Sequence, residues 1–487
     1  MADEMEKSEF AYEDLREWIK KSDAAGNLRR VEGASWEADI GNITEMLHHS
    51  FPAPAVLFDK VPGCDSGYRV LTNALGSNDN IALSMGLPGG LSKAELSEAV
   101  RKLLAEGDTE PMKYVDTGPV MENVETGNDI DLYKFPTPLW HEQDGGRYIG
   151  TASYDVTSDP DRSDWINIGT YRVMLQAKDK VGFYISPGKH GRVHRDKHFD
   201  RGEACPVAMV FGGDPLTFLM ASTELPSGMS EYDFIGGLRG EPVEVIRGPV
   251  TGLPFPANAE IVIEGYARPG NELPEGPFGE WTGYYASSTR SEPVVDVEAV
   301  YYRNDPVLFG SPPNRPPDEQ ARFRALIRSA LLREEIERAG VPGVTGVWAH
   351  EAGGTRLLLG VSIDQRYGGH SAQAGHVAAM CHVGAYTGRY VVVVDDDIDV
   401  TDLEELTWAM CTRSEPAESI DIIQHAWSTP LDPRIPPERK QAGDLVNSRA
   451  IIDATRPFHW RDRFPAINLP SRETMEQTRK KWGYLRT

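Results

Sequence analysis

The chain has 487 residues, of which 40% are hydrophobic and 25% are charged, and its formal net charge is −24. This length exceeds one ordinary hydrophobic core, so two or three domains are expected. The negative charge argues against nucleic acid or an anionic membrane as a partner, because both would be repelled. Any pocket for an anion must therefore place its cations locally.

The sequence shows no pattern of a membrane helix, of a signal peptide or of paired cysteines. No segment approaches the roughly 18 consecutive apolar residues of a membrane helix, and the opening MADEMEKSEF lacks the basic and apolar regions of a signal peptide. The four cysteines are scattered without a CxxC pair, which predicts neither a disulfide framework nor a thiolate metal site. A cytoplasmic protein is expected.

The sequence patterns of the N-terminal third predict mixed α/β structure. A short amphipathic helix within the first 25 residues places Leu15, Trp18 and Ile19 on one face, and Gly26 ends it. Between residues 54 and 121, AVLFDKV predicts a strand and Leu91–Glu106 a helix. From 112 to 310, β-rich runs such as VMLQAKD, VGFYISPG, AEIVIEGYARPG and EPVVDVEAVYYRND alternate with Gly and Pro, which favours a barrel or sandwich.

The C-terminal third begins with a long helix, expected at about 318–339 after a proline-rich break. Strands in TRLLLGVSI and RYVVVVDDDID then alternate with helices near 370–386 and 402–410. Thr401 and Glu404 have the spacing of a capping box for the second of these helices. A last helix is expected near Arg472–Trp482. The predicted units are an N-terminal α/β region (1–111), a β-rich domain (112–317), a linker helix (318–340), a smaller α/β domain (341–460) and a tail (461–487).

The segment ELPEGPFGEWTGYY, residues 272–285, holds two glutamates, Glu275 and Glu280, separated only by Gly-Pro-Phe-Gly. Two glycines and a proline prevent regular helix here, and carboxylates beside aromatic residues are costly unless they stay solvated. The alternatives are a solvated turn, or a general acid and its partner held out of water.

Other polar clusters lie in the β-rich region: Asn167 and Arg172 flank a Gly-Thr step, Lys189 and His190 lie in a Gly-rich turn, and Glu231 lies in a Ser/Gly-rich loop. Solvated turns are the ordinary interpretation of each. Alternatively, one amide oxygen, one imidazole and one carboxylate could bind a divalent ion that phosphate and water complete.

Two further clusters do not predict metal sites. The run Asp395–Asp397 follows an apolar strand just before a capped helix, where carboxylates are stabilised by the helix N-terminus. His370 and His376 are six residues apart, on different faces of one helix, and are not expected to share an ion. The sequence contains neither a GxGxxG motif after a strand nor a P-loop, so an ordinary dinucleotide site is not indicated.

Taken in order, these motifs resemble the UbiD family of reversible decarboxylases, which use prenylated FMN. The resemblance rests on Asn167-x4-Arg172, Lys189-His190-Gly191, Glu231 and the Glu275–Glu280 motif. DLREWIKKSDAAGNLRRV, YKFPTPLWHEQDGGRYI and VVVVDDDIDVTDLEELTWAM extend it over nearly the whole chain. It implies an α/β (α+β) fold: a flavin-binding domain with a split β-barrel core, a linker helix and a C-terminal oligomerisation domain that moves about a hinge.

The resemblance also implies the site residues. The catalytic set is Arg172, Glu275 and Glu280. The ligands of a divalent ion, usually Mn²⁺, are Asn167, His190 and Glu231, and a K⁺ ion lies on carbonyls around Ala221–Thr223. The residues that bind the cofactor are Asn167, Ile168, Gly169, Thr170, Tyr171, Arg172, Lys189, His190, Pro226 and Glu231.

The chemistry follows from the cofactor, which accepts the electron density left when CO₂ departs from an aromatic acid. Glu280 is the expected proton donor, and Arg172 is expected to pair most directly with Glu275. The aromatic residues after Glu280 are expected to lower the local dielectric and raise its pKa. No prenyltransferase motif is present, so a separate flavin prenyltransferase must supply the cofactor.

Asn314, Arg315 and His370 are the candidate substrate residues, and they favour a pyrrole- or indole-type carboxylate. The alternatives are a hydroxybenzoate-type acid, a non-catalytic flavin-binding partner subunit, or a glycoside hydrolase with paired carboxylates. A homodimer or a hexamer of dimers is expected. The physiological direction of the reaction stays open.

Overall fold

The structure is a computed structural model that describes residues 10–483 except 106, 224 and 287. The helices of this part are α1 Leu15–Ala24, α2 Asp39–His48, α3 Asn78–Ser84, α4 Lys93–Ala105, α5 His190–Asp200, α6 Pro215–Ala221, α7 Glu231–Arg239, α8 Glu319–Arg338, α9 His370–Met380, α10 His382–Ala385, α11 Leu403–Arg413, α12 Pro437–Gln441 and α13 Arg472–Trp482. Most of the N-terminal stretch MADEMEKSEF lies outside the described residues.

Several strands, such as AVLFD and YVVVVD, are continuous apolar runs that are buried almost throughout. The strands are β1 Leu28–Glu32, β2 Ala55–Asp59, β3 Arg69–Thr72, β4 Lys113–Tyr114, β5 Asn123–Thr126, β6 Tyr148–Gly150, β7 Tyr154–Asp159, β8 Arg162–Gly169, β9 Val173–Ala177, β10 Lys180–Gly182, β11 Cys205–Phe211, β12 Glu244–Arg247, β13 Pro254–Pro256, β14 Ile261–Glu275, β15 Arg290–Tyr302, β16 Val307–Gly310, β17 Val344–Ala349, β18 Leu358–Ile363, β19 Tyr390–Asp395, β20 Ile420–Trp427 and β21 Val446–Ala454.

The central sheet has the strand order β6-β9-β10-β15-β14-β11-β7-β8, and β5 pairs with β15. Its two longest strands, β14 and β15, pair antiparallel with a register shift between Ala267 and Glu272. Such an irregularity bends a strand, as closure toward a barrel requires. The sheet buries apolar side chains on both faces, in two separate core clusters. The β-rich domain expected from the sequence is present, and Glu275 is the last residue of β14.

The N-terminal region forms a second sheet in the order β1-β2-β3-β16. Strand β16 (Val307–Gly310) follows the central sheet in sequence and pairs parallel with β3. The end of the β-rich segment therefore returns to the N-terminal region and ties the two together.

Helix α8 begins at Glu319, where the Asp318 side chain accepts a hydrogen bond from the backbone N–H of Ala321. It ends before Gly340, whose φ of +86° favours glycine. The helix packs against α4 and against β17. Beyond it, five strands in the order β17-β18-β19-β21-β20 form the sheet of the C-terminal domain.

Three local expectations need correction. The N-cap of α11 is Asp402, not Thr401, because the Asp402 carboxylate accepts from the N–H groups of Glu404 and Glu405. The helix expected over 370–386 is divided at Cys381, whose extended backbone separates α9 from α10. His190 lies at the first residue of α5 rather than in a solvated hairpin.

The acidic run after β19 is ion-paired. The Arg413 guanidinium contacts Asp395 at 3.0 Å and Asp397 at 2.9 Å, and Arg456 also contacts Asp395. These pairs, rather than the N-terminus of α11 alone, stabilise the carboxylates. In the described part of the chain, none of the helices is long and apolar enough to span a membrane. The architecture is mixed α/β, as the sequence predicts.

Candidate active site

Arg172 joins the two glutamates of the ELPEGPFGEWTGYY segment. Its Nη2 donates to Glu275 Oε2 at 2.8 Å and its Nη1 donates to Glu280 Oε1 at 2.9 Å. Arg172 lies in the short connection between β8 and β9, while Glu275 ends β14. Side-chain exposure is 10% for Arg172, 2% for Glu275 and 15% for Glu280. The tertiary fold thus brings Arg172 into contact with two glutamates that lie 103 and 108 positions further along the chain.

The loop between the glutamates is fixed by close backbone contacts. Gly276 has a φ of +84°, which favours glycine, and its carbonyl accepts from the Thr289 hydroxyl. A Cβ on Gly145 would lie only 2.1 Å from the carbonyl oxygen of Gly276, so this approach requires glycine. Gly145 N–H also donates to the carbonyl of Pro277 at 2.7 Å. These contacts fix the backbone of the loop that precedes Glu280.

Aromatic side chains enclose the ion-pair cluster. The Tyr148 and Phe278 rings stack with centroids 3.9 Å apart, and the Tyr148 hydroxyl donates to Glu275 Oε1 at 2.9 Å. Two guanidinium groups lie over the Tyr184 ring, that of Arg172 at 4.6 Å and that of Arg290 at 3.9 Å from its centroid. Sequence reasoning missed these groups, although Tyr148 lies in the YKFPTPLWHEQDGGRYI motif.

Of the three aromatic residues that follow Glu280, Trp281 is half-buried, but Tyr284 and Tyr285 do not form this enclosure, contrary to the expectation. Tyr284 is 62% exposed and Tyr285 is 37% exposed. Tyr148, Phe278 and Tyr184 from other segments take that role.

The pKa of Glu280 is raised by burial, and the nearby Glu275 carboxylate raises it further, while Arg172 and Arg290 oppose the shift. Burial alone would lower the pKa of Arg172, but the two glutamates outweigh it and raise the pKa. Arg172 therefore stays charged, while burial makes Glu280 easier to protonate than an exposed glutamate. Such an arrangement suits a proton donor.

The predicted metal ligands converge around the Tyr171 hydroxyl. Asn167 lies on β8, His190 starts α5 and Glu231 starts α7, and both helices pack against β8. The Tyr171 hydroxyl accepts from Gly191 N–H at 3.2 Å and lies beside the Asn167 side chain. Glu231 Oε2 accepts from the N–H of Ile168 at 2.9 Å.

The chemical states of these groups fit a divalent cation. Asn167 Nδ2 is buried without a hydrogen-bond partner among the described residues. Burial, with the neighbouring Lys189, lowers the pKa of His190 and keeps the imidazole neutral, which is the form that binds metal. Burial raises the pKa of Glu231 to about 7, and a cation beside it would restore the carboxylate.

The described residues contain no group of three or more His, Cys, Asp or Glu side chains that could hold a metal ion by themselves. The candidate set has one imidazole and one carboxylate, with an amide as its third donor. Such a set needs additional oxygen ligands, and a phosphate group is a suitable source.

The other cofactor residues lie around the same strand end. Thr170 N–H donates to the carbonyl of Ala221 at 3.3 Å, which joins the end of β8 to the C-terminus of α6. A Cβ on Gly169 would lie 2.3 Å from the Tyr171 hydroxyl, so any other residue there would displace the Tyr171 side chain. Pro226 is exposed in the loop between α6 and α7. The potassium ligands around Ala221–Thr223 stay a prediction. In this stretch the hydroxyls of Ser222 and Thr223 both donate to the Leu219 carbonyl.

The three candidate substrate residues are not brought together. Asn314 is 3% exposed; its Oδ1 accepts from His141 at 2.6 Å and its Nδ2 donates to His48 at 2.7 Å. Arg315 is exposed and lies against Gly283, just after Glu280.

The third, His370, is fully buried at the start of α9, where it stacks on Tyr367 and accepts from the N–H of Arg366. These contacts lie within the C-terminal domain. Its substrate role stays a prediction.

Three family models match the chain. They describe the N-terminal domain (residues 19–100), the Rift-related domain (113–316) and the C-terminal domain (321–454) of 3-octaprenyl-4-hydroxybenzoate carboxy-lyase, UbiD. The chain is 33% identical over 459 residues to a pyrrole-2-carboxylic acid decarboxylase of Pseudomonas aeruginosa, covering 91% of each protein. It is also 33% identical over 482 residues to a phenolic acid decarboxylase of a Streptomyces species, covering 96% of this chain and 97% of the relative.

Solved structures share the whole architecture. The vanillic acid decarboxylase of Sedimentibacter hydroxybenzoicus in its open form superposes with a TM-score of 0.86 at 29% identity, covering 98% of this chain and 100% of that chain. The UbiD-class enzyme HmfF of Pelotomaculum thermopropionicum in complex with FMN gives 0.84 at 29% identity, covering 95% and 98%. An evolved dimeric form of HmfF with prFMN gives 0.80 at 28% identity, with the same coverage. The fold and the sequence agree, and the chain belongs to the UbiD family of carboxy-lyases.

Proposed function

We propose that this protein catalyses the reversible, non-oxidative decarboxylation of an aromatic or heteroaromatic carboxylic acid with prenylated FMN, and that Glu280 is the proton donor. The observation that carries the proposal is the buried cluster in which Arg172 binds both Glu275 and Glu280. The FMN and prFMN complexes of a similar enzyme support the choice of cofactor.

The cofactor, when bound, supplies the electron acceptor for the loss of CO₂ from an sp² carbon. The protein residues position the acid, exclude water and move the proton. We assign the orientation of the substrate carboxylate to Arg172, which stays charged and whose buried Nε has no described partner.

Glu280 then delivers a proton to the carbon that lost CO₂. Its raised pKa makes the protonated form accessible near neutral pH more often than for an exposed glutamate. Glu275, which Tyr148 and Arg172 hold in place, contributes to the electrostatic environment of Glu280.

Asn167, His190 and Glu231 would hold a divalent ion, for which we propose Mn²⁺, between the protein and the cofactor phosphate. Carbonyls around Ala221–Thr223 would hold K⁺. A flavin prenyltransferase would supply the cofactor. The four cysteines are free thiols, in keeping with the reducing cytoplasm that we propose as the location.

For the substrate, we favour a pyrrole- or indole-type carboxylate. A ring N–H needs a polar partner near the proton donor, and His141 is suited to this because its ring lies beside Gly279, next to Glu280. Asn314 would act by orienting His141 through the 2.6 Å hydrogen bond. A hydroxybenzoate-type acid is the second candidate, because several relatives at 31–33% identity are named phenolic acid decarboxylases.

We propose a homodimer or larger homo-oligomer that forms through the C-terminal domain. Its edge strand β20 exposes Ile422 and Trp427, each 54% exposed, and Leu469 in the tail is 75% exposed. Apolar exposure of this kind is typical of contact surfaces.

The deciding experiment co-expresses the protein with a flavin prenyltransferase and measures the absorption spectrum and mass of the small molecule that it releases. Aromatic acids are then screened for CO₂ release. A prenylated flavin together with turnover of a pyrrole- or indole-carboxylate supports the full proposal. If only hydroxybenzoates are turned over, the substrate is a phenolic acid instead. If no aromatic acid releases CO₂, the proposed function is wrong.

A further inference from the structure

The turn that begins at Glu280 is closed by its own backbone hydrogen bonds. Glu280 N–H donates to the carbonyl of Tyr284 at 3.1 Å, and Gly283 N–H donates to the carbonyl of Glu280 at 2.8 Å. Gly283 has a φ of +79°, and a Cβ there would lie 3.0 Å from the Cα of Arg315. Residues 280–284, which we call the donor turn, therefore form one unit whose first residue is the proposed proton donor.

Trp281, the second residue of the donor turn, contacts the C-terminal domain. A Cβ on Gly354 would lie 2.5 Å from Cε3 of the Trp281 ring and 3.0 Å from the Trp281 carbonyl oxygen, so the contact leaves no space for a side chain. The Arg356 guanidinium lies 5.1 Å from the centroid of the Trp281 ring, whose π face attracts a cation. Trp281 thus connects the donor turn to the segment between β17 and β18.

The segment between β17 and β18 has a well-defined position. Gly354 has a φ of +57°, and its N–H donates to the carbonyl of Glu351 at 2.9 Å. The Glu351 carboxylate accepts from Trp348 Nε1 at 3.0 Å and pairs with Lys93 at 2.8 Å. Trp348 is a buried residue of β17 and Lys93 is the first residue of α4. The surface that Trp281 contacts is therefore attached both to the core of the C-terminal domain and to the N-terminal region.

We propose that Gly354 and Arg356 are positioning residues that orient Glu280 through Trp281. The inference rests on the proposed decarboxylase function and deepens it, because it adds part of the C-terminal domain to the support of the proton donor. A proton donor must lie within hydrogen-bond reach of the atom that it protonates, and a displacement of about 1 Å can cost about 10²-fold in rate. A contact one residue from Glu280 is close enough to control that distance. A contact that serves only stability would change unfolding and leave the kinetics as they are.

Gly354→Ala is the main variant, because its methyl group would displace the Trp281 ring. Gly340→Ala is the matched control: Gly340 also has a positive φ, +86° against +57°, but a Cβ there would meet nothing within 4 Å. Both variants carry the strain of an alanine in a left-handed conformation, and only Gly354→Ala adds the collision. Trp281→Leu removes the ring that would collide, and Trp281→Phe is the conservative change.

Gly354→Ala with prenylated FMN bound is expected to lower kcat about 10- to 100-fold, while KM and flavin content stay near the wild-type values. Exchange of solvent deuterium into the product should fall with kcat. Gly340→Ala should match the wild type. Trp281→Leu should also lower kcat, Trp281→Phe should keep most of it, and Gly354→Ala added to Trp281→Leu should lower it no further.

The pH profile of kcat provides a measurement that a purely structural role would not change. Burial raises the pKa of Glu280, the Glu275 carboxylate raises it further, and Arg172 and Arg290 oppose the shift. A displaced donor turn exposes Glu280 to water and lowers its pKa. The alkaline limb of the profile should therefore move to lower pH in Gly354→Ala.

Thermal unfolding of the cofactor-free proteins tests the contact without using activity. Gly354→Ala should lower the midpoint more than Gly340→Ala does, but by the same amount as Gly340→Ala when both are made in Trp281→Leu. Equal effects of the two alanine variants in the presence of Trp281 would overturn the inference.

The kinetic outcomes separate this inference from the proposed function. If the wild type releases CO₂ and Gly354→Ala has the kcat of Gly340→Ala, the inference is wrong and the proposed function stands. Loss of flavin from Gly354→Ala would also overturn the inference, because the segment would then serve the cofactor instead of Glu280. If Gly354→Ala does not fold, an unchanged kcat in Trp281→Leu would overturn it. If the wild type with prenylated FMN releases CO₂ from no aromatic acid, the proposed function is wrong, and this inference with it.

Discussion

The Tyr148 hydroxyl donates a hydrogen bond of 2.9 Å to Oε1 of Glu275, the oxygen that Arg172 does not bind. Glu275 is almost fully buried, so this bond gives the second oxygen of its carboxyl group the hydrogen-bond partner that water would otherwise supply. The two contacts fix the position of Glu275, and Arg172 connects it to Glu280.

Tyr148→Phe should therefore reduce kcat about 10-fold while flavin content stays normal, because a hydrogen bond to a charged group contributes about 1.5–3 kcal/mol. Steady-state kinetics with the identified acid would measure this. Tyr285→Phe removes an exposed hydroxyl bond to Asp144 in the same region and serves as the control. Equal kcat values for Tyr148→Phe and the wild type would contradict a positioning role.

Glu280→Gln should bind flavin as the wild type does and lose most of its turnover, by about 10²–10⁴-fold as is usual for general acid catalysis. Solvent deuterium should also no longer exchange into the ring C–H of the product. Mass spectrometry of the product in D₂O measures the exchange. If Glu280→Gln keeps both turnover and deuterium exchange while Glu275→Gln loses them, Glu275 is the proton donor instead of Glu280.

The pH dependence should report Glu280. The protonated carboxyl is the donor, so kcat should fall as pH rises through the raised pKa of Glu280. Arg290 lowers that pKa, so Arg290→Met should move the alkaline limb of the profile to higher pH. A profile whose alkaline limb stays in place in Arg290→Met would indicate that another group titrates.

His190→Ala should lower the divalent metal content and the bound flavin together without changing the circular dichroism spectrum. His190 lies at the start of α5, where its side chain is only partly buried, so the fold should tolerate alanine. Metal analysis and flavin absorbance provide the two measurements. His376→Ala, at an exposed position of α9, is the control. Full metal and flavin content in His190→Ala would show that the ligand assignment is wrong.

Protein made in a host without a flavin prenyltransferase should contain unmodified flavin or none and should not release CO₂ from aromatic acids. The reason is that no side chain of the cluster can stabilise an sp² carbanion by itself. Reconstitution with prenylated FMN should restore activity. Robust decarboxylation by the cofactor-free protein would contradict the proposed mechanism.

Local sequence patterns were enough to predict the helices, the strands and the motifs that carry the chemistry. The β-rich runs and the Gly and Pro residues between them predicted the strands of the central sheet, and apolar spacing predicted α1 and α8. The pair Glu275 and Glu280 stood out because carboxylates, glycines and aromatic residues rarely occur together without a reason. Family membership followed from motifs that lie in a fixed order along the whole chain.

Which side chains come into contact depends on the tertiary fold. Arg172, Tyr148 and Glu280 lie on separate segments, and no local pattern reveals that Arg172 binds both glutamates or that Tyr148 holds one of them. The same is true of Arg356, whose guanidinium lies over the Trp281 ring although the two residues are 75 positions apart in the sequence. Side-chain burial and pairing depend on contacts between distant strands and helices, whereas sequence periodicity reports only the face on which a residue lies. The exposed Tyr284 and Tyr285, expected to enclose Glu280, illustrate this difference.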